Sequence, residues 1–229
     1  MIIVITGTSS GLGYNLALHF SQNHFVYGIA RSSSKINNSN YHHLKGSVND
    51  ESFIQDCLNK IIQEKGKIDL LINNAGVASM NHMLTTPIES VKAIFDTNFT
   101  GTFLCTREFS KALIKSKSPR IINISSIATE INIEGELAYS SSKAALNKLT
   151  KLAAIELEPL NITVNAISLP PFASKLTNGV EDEKLRKISE RTICRLEVNI
   201  DSIINVIEFI SNPRSNQITG ETINIGGVK

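Results

Sequence analysis

Cysteine is scarce in this chain: Cys57, Cys105 and Cys194 are scattered and odd in number. That excludes a disulfide framework, and without a Cys-x-x-Cys pair or a Cys/His cluster it gives no metal site. Reduced thiols in a cytoplasmic setting are expected. Long apolar runs are also missing. None approaches the roughly 20 residues that span a bilayer, so no membrane partner is expected. The apolar start, Met1 to Ile5, runs directly into a glycine turn, with neither the basic leader nor the cleavage site of a signal peptide. Net charge is only +2 with no dense basic run, which excludes the electrostatic footprint of a nucleic-acid binder. No internal repeat or linker interrupts the chain. What remains is 229 residues, 41% hydrophobic and 19% charged, the profile of one globular domain with enough length for a large core.

Periodicity predicts alternating strands and helices. Residues 2–5 are a β-branched run suited to a strand buried on both faces. Leu12, Leu16, Ala17 and Phe20 then recur at helical spacing. Strands are expected at 25–30, 41–45, 68–72, 120–124, 162–167 and 221–225. The Ser- and Asn-rich stretch 31–40 reads as a loop with little room for a helix. Asp50 is placed to cap a helix running to about Lys65. Further helices are expected at about 87–95, 97–116, 136–158 and 201–210, the third ending at Glu158-Pro159. This order predicts right-handed βαβ units: a single α/β domain over 1–229, doubly wound, with a mostly seven-stranded parallel sheet.

Between strand one and helix one stands Thr6-Gly7-Thr8-Ser9-Ser10-Gly11-Leu12-Gly13. Glycine tolerates positive φ, admits a pyrophosphate close to the backbone and lets the helix pack tightly on the sheet. The helix start offers N–H groups and the positive end of a dipole. The turn therefore predicts a dinucleotide site. An NAD site usually places an acid after strand two to accept from the ribose 2′-hydroxyl. No Asp or Glu occurs between residues 25 and 49, whereas Arg31 could pair with a 2′-phosphate. NADP(H) is expected over NAD(H).

Tyr139 and Lys143 lie four apart on a predicted helix and share one face. An ammonium beside a phenol favours the phenolate, which would bring tyrosine down from its usual value of about 10. Tyr139 is thus a candidate acid for carbonyl reduction and base for alcohol oxidation. Ser126 follows the fifth strand at the carboxyl edge, where such sheets bind ligands, and could hold the substrate oxygen.

With Thr6-Gly7-x3-Gly11-x-Gly13, Asn73-Asn74-Ala75-Gly76, Asp96-Thr97-Asn98-Phe99-Thr100-Gly101, Ser126, Tyr139-x3-Lys143 and Val164-Asn165-Ala166-Ile167, the chain resembles the classical short-chain dehydrogenase/reductase family over nearly its full length. The resemblance implies a Rossmann fold and a catalytic tetrad of Asn98, Ser126, Tyr139 and Lys143. In that family the asparagine holds a water linking the lysine to a proton relay, and the lysine also binds the nicotinamide ribose. Cofactor contacts are expected from Gly7, Thr8, Ser10, Gly11, Leu12, Gly13, Arg31, Val48, Asn74, Ala75, Gly76, Tyr139, Lys143 and Pro170. Ser125 is expected to make local structural hydrogen bonds instead. The chain departs from the family at Ser168-Leu169-Pro170-Pro171-Phe172, where Pro-Gly is usual, and at Ser47, where an acid beside the adenine is usual. Proline has no N–H for the nicotinamide carboxamide.

Within the family the resemblance is to 3-oxoacyl-carrier-protein reductase-like members, which reduce a ketone with NADPH. It implies an NADP-dependent oxidoreductase acting on a small carbonyl or alcohol substrate. A catalytically weak dinucleotide-binding regulatory protein and a sugar-nucleotide-modifying enzyme stay open as alternatives. Residues 170–197 are the expected substrate-binding segment, with Phe172, Leu176 and Ile193 as candidate lining. Glu130, Glu134 and Glu136, if they face the pocket mouth, would disfavour an anionic phosphopantetheine arm. The family pattern also implies a homodimer or homotetramer through helices at about 97–116 and 139–158.

Overall fold

The structure, a computed structural model, describes residues 1–171, 183, 186, 188, 190–194 and 198–229. Seven parallel strands run in the order β3-β2-β1-β4-β5-β6-β7: β1 Ile2–Thr6, β2 Phe25–Ala30, β3 Tyr41–Lys45, β4 Leu70–Asn73, β5 Arg120–Ser126, β6 Thr163–Leu169 and β7 Thr222–Asn224. The helices are α1 Gly11–Phe20, α2 Glu51–Lys65, α3 Ile88–Phe95, α4 Gly101–Leu113, α5 Leu137–Leu157 and α6 Ile200–Ser211. The doubly wound Rossmann fold read from the sequence is therefore the observed one.

Alternation along each strand builds two cores. Val4, Tyr27, Leu71, Ile121 and Val164 meet Ile54, Leu58, Phe109 and Ala153 from α2, α4 and α5. The intervening Ile3, Ile5, Leu70, Ile72, Ile122 and Ile167 meet Leu16, Phe20, Ile203 and Ile207 from α1 and α6. A period of two on strands that are buried on both faces requires such an arrangement. Asp50 caps α2 as expected, its carboxylate accepting from the Phe53 N–H at 3.1 Å.

Several boundaries differ from expectation. β4 starts at Leu70, two residues late, and reaches Asn73. β5 and β6 each run two residues further, so Ser126 is the last residue of its strand rather than just beyond it. The helix expected at 97–116 begins with a π-helical turn, Asp96–Thr100, before α4. The strand order reverses between β1 and β4, and the carboxyl edge there is where ligands of open α/β sheets bind. Among the described residues no helix is long and apolar enough to cross a membrane.

Candidate active site

A cleft of about 340 Å³ opens along this edge, with Gly7, Arg31, Asn74, Ser126, Tyr139, Lys143 and Pro170 in its lining. Its phosphate end is shaped by backbone. Gly7 and Gly11 have φ of +77° and +59°, in the left-handed region that favours glycine. A Cβ on Gly13 would lie 2.4 Å from the Gly7 carbonyl oxygen, so α1 can approach β1 only through glycine. Ser10 precedes α1 and makes no side-chain capping bond. Asn74 closes the cradle, its amide donating to the Thr6 carbonyl at 2.8 Å, while the Asn74 and Ala75 N–H groups both donate to the Thr6 hydroxyl at 2.9 Å.

This cradle of glycine backbone, helix N-terminus and free serine hydroxyl fits a dinucleotide pyrophosphate. Gly7, Ser10, Gly11 and Leu12 line the cleft, and so does Ser9, which the sequence reading passed over. Thr8 and Gly13 do not. Thr8 is fully buried and pairs with the Tyr41 hydroxyl at 3.0 Å, and Gly13 serves the close packing of α1. Arg31, Ser32, Gly46, Ser47 and Val48 line the far end, where no described residue carries a carboxylate.

At the other end the three candidate catalytic groups, Ser126, Tyr139 and Lys143, converge. Burial pushes the Tyr139 phenol up to about 12; a hydrogen bond with Ser126 acts in the opposite sense, and the Glu136 charge raises it further. Lys143 is buried, and desolvation brings its amine down to about 8. Its Nζ donates to the Ile124 carbonyl at 2.7 Å and lies 5.9 Å from the centre of the Tyr139 ring. The expected lowering of the phenol by the ammonium is thus reversed here. The amine is turned onto strand β5, and desolvation outweighs attraction at that distance. Ser125 donates to Asn147 Oδ1 at 2.6 Å, the structural role expected of it.

Asn98 is fully buried in the π-helical turn. Its Oδ1 accepts from the Val77 N–H at 2.9 Å, and its Nδ2 donates to the Val77 carbonyl and the Ser142 hydroxyl, each at 3.0 Å. Ser142 in turn donates to the Tyr139 carbonyl at 2.7 Å. Asn98 therefore ties the segment after β4 to the first turns of α5, fixing Gly76 between the two halves of the site. The sequence reading missed Ser142; its place one residue before Lys143 in a serine run was the available signal.

Of the three glutamates expected near the mouth, only Glu136 lines the cleft. Glu130 accepts from Asn224 at 2.8 Å and Glu134 faces His82 at 3.8 Å, both on the exterior. Ile193 is exposed and packs on Gly227, outside the lining, while Phe172 and Leu176 lie outside the described residues. Pro170 and Pro171 line the cleft at the end of β6, where no N–H is available from either.

Comparison with known proteins agrees with this geometry. Residues 1–185 match the family model for short chain dehydrogenases. Over 98% of this chain and 96% of the relative, the sequence is 27% identical to the 3-oxoacyl-[acyl-carrier-protein] reductase FabG of Staphylococcus aureus. It is 29% identical to the 3-oxoacyl-[acyl-carrier-protein] reductase of Synechocystis, over 99% of this chain and 95% of that one. The aldohexose dehydrogenase of Thermoplasma acidophilum shares the fold, with a TM-score of 0.89 at 23% identity over 99% of this chain and 92% of the other.

Proposed function

The chain belongs to the short chain dehydrogenase family, whose members are NAD(P)-dependent oxidoreductases, and from that premise we propose that it uses NADP(H) to interconvert a ketone or aldehyde with an alcohol, Tyr139 acting as acid and base. One observation carries this reading: Ser126, Tyr139 and Lys143 meet at one end of a cleft whose other end is a glycine cradle. The dinucleotide, when bound, supplies or accepts the hydride. The Ser126 hydroxyl holds the substrate oxygen at the rim of β5. Tyr139 gives that oxygen a proton as the carbonyl carbon is reduced, and takes it back in the reverse direction. A phenol held at about 12 is protonated at neutral pH and therefore ready as the acid of carbonyl reduction. Lys143 would hold the nicotinamide ribose, with its ammonium stabilising the phenolate that Tyr139 becomes on giving up its proton in reduction and that it must be to take one in oxidation.

Support for NADP(H) lies at the far end of the cleft. Arg31 and Ser32 are exposed there beside a half-buried Ser47, and the described lining at that end offers no carboxylate to repel a 2′-phosphate. Pro170, Pro171 and Ile188 reach the cleft from the segment 170–197, which supports its assignment to the substrate side. Phe103, Leu152 and Ile155 stand exposed on α4 and α5 and support a homodimer or homotetramer built on those helices, which light scattering would count.

The decisive experiment is Tyr139→Phe. Turnover is expected to fall at least about 100-fold, the range of general acid–base catalysis, with NADPH still bound as read by its fluorescence. A variant that keeps wild-type turnover would overturn the assignment.

A further inference from the structure

Two buried polar atoms in the cleft have no role in the chemistry above. Glu136 Oε2 and Ser79 Oγ are shut off from solvent, and neither has a hydrogen-bond partner among the described residues. Both residues line the cleft, and Glu136 contributes the one carboxylate in its described lining. They come from segments that are joined directly: the Asn81 N–H donates to the Gly135 carbonyl at 3.0 Å, and Gly135 turns the chain at φ +89° just before Glu136. Glu136 stands at the start of α5, one turn ahead of Tyr139, close enough for its charge to act on that phenol. The wall beside them is apolar, formed by Ile127, Ile133 and Ile188.

Resting on the hydride-transfer reading, we infer that Glu136 and Ser79 form a specificity site for a second hydroxyl on the substrate, on a carbon near the reacting carbonyl. The chemical class is thus a hydroxyketone, polyol or sugar-like compound. A buried polar atom left unpaired costs about 1–3 kcal/mol, so a substrate hydroxyl that pairs these atoms is favoured over a plain alkyl ketone that leaves them unpaired. A carboxylate or phosphate placed here would meet the Glu136 charge. A substrate ammonium would share the cleft with Lys143 and with the positive ring of the oxidised cofactor. A neutral hydroxyl satisfies both atoms at once, donating to the carboxylate and accepting from the serine. Burial pushes the Glu136 carboxyl up from its usual range, and a donor hydrogen bond from substrate would offset that desolvation.

The test compares hydroxyacetone with butanone, a pair that differs by hydroxyl for methyl, alongside an acetoacetyl thioester, all with NADPH. The wild type is expected to favour hydroxyacetone by about tenfold or more in kcat/KM, the size of one hydrogen bond to a charged group. Glu136→Ala and Ser79→Ala should each reduce that ratio, chiefly through KM for hydroxyacetone. Glu136→Gln, which keeps an acceptor oxygen, should restore part of it. Retained NADPH binding shows that each variant is folded. Equal kcat/KM for the two ketones in the wild type would overturn the inference, as would a preference for the thioester. So would a Glu136→Ala variant that loses kcat on both ketones alike with a shifted pH profile, since that marks an effect on Tyr139 alone. In those cases hydride transfer still occurs and only this inference fails; absence of reduction of any carbonyl would remove the parent reading as well.

Discussion

Lys143 links activity and stability through one proton. Its amine is held at about 8, so it loses charge within an accessible pH range, whereas Tyr139, at about 12, keeps its proton throughout. Carbonyl reduction is expected to hold up to about pH 8 and to decline above it as the ammonium is lost; kcat/KM followed to pH 10 checks this, and a flat profile would contradict it. The stability effect has the opposite sign. A lysine whose folded pKa lies below its unfolded value of 10.5 binds fewer protons when folded, so it destabilises the fold at low pH. That penalty is relieved as pH rises from about 8 toward 10.5. It amounts to at most about 3 kcal/mol at 1.36 kcal/mol per unit. Lys143→Met is therefore expected to be inactive yet more stable than wild type at pH 7, the gap closing toward pH 10 in denaturant titrations. The wild-type curve alone would not isolate this effect. The buried thiols Cys57 and Cys105 are pulled upward and oppose it above about pH 9. Spacing alone picked out Ser126, Tyr139 and Lys143 as a group, because they stand in a fixed pattern, and the structure brings them to one end of the cleft. The direction of their pKa values was not legible, because burial depth and the orientation of an amine toward Ile124 are properties of the packed chain.

At the scale of elements, the glycine cradle ties helix position to ligand position. Gly13→Ala places a methyl against the Gly7 carbonyl, a backbone atom that can yield only if α1 moves. The expected result is a loss of about 1–3 kcal/mol in stability together with weaker NADPH binding by at least about tenfold, read by thermal unfolding and fluorescence titration. Gly66→Ala is the useful contrast. Its φ is +77° but an added Cβ meets nothing within 4 Å, so it should weaken only the end of α2 and leave cofactor binding intact. Strands and amphipathic helices were readable because β-branched runs and 3.6-residue spacing report burial directly. The π-helical turn that aims Asn98 inward was not, since nothing in the composition of Asp96–Thr100 separates a π-helical turn from an α-helical one. The burial of Thr8 was hidden for a related reason: Tyr41 on β3 lies 33 residues away in sequence and donates its hydroxyl to that of Thr8. Likewise the three glutamates of the β5–α5 connection look alike in sequence, and only the path of that loop separates Glu136 from Glu130 and Glu134.

For the whole molecule, a ligand that binds only the folded state raises its stability by about 2.7 kcal/mol at 100 times its Kd. In a chain of this length that corresponds to a rise of about 5–10 °C in Tm. NADPH is expected to produce such a rise and NADH at equal concentration a smaller one, the difference shrinking in Arg31→Ala. Equal shifts in wild type would argue against a 2′-phosphate site. Because all seven strands point the same way, the sheet has two unlike rims. Every group assigned to the chemistry comes from one of them, while the returns at Asn23–His24, Gly66–Lys67 and Asn161–Ile162 sit on the opposite rim. That back rim is a natural attachment point: a fluorophore, tether or inserted peptide placed there could report on or immobilise the molecule with the working rim left open to solvent.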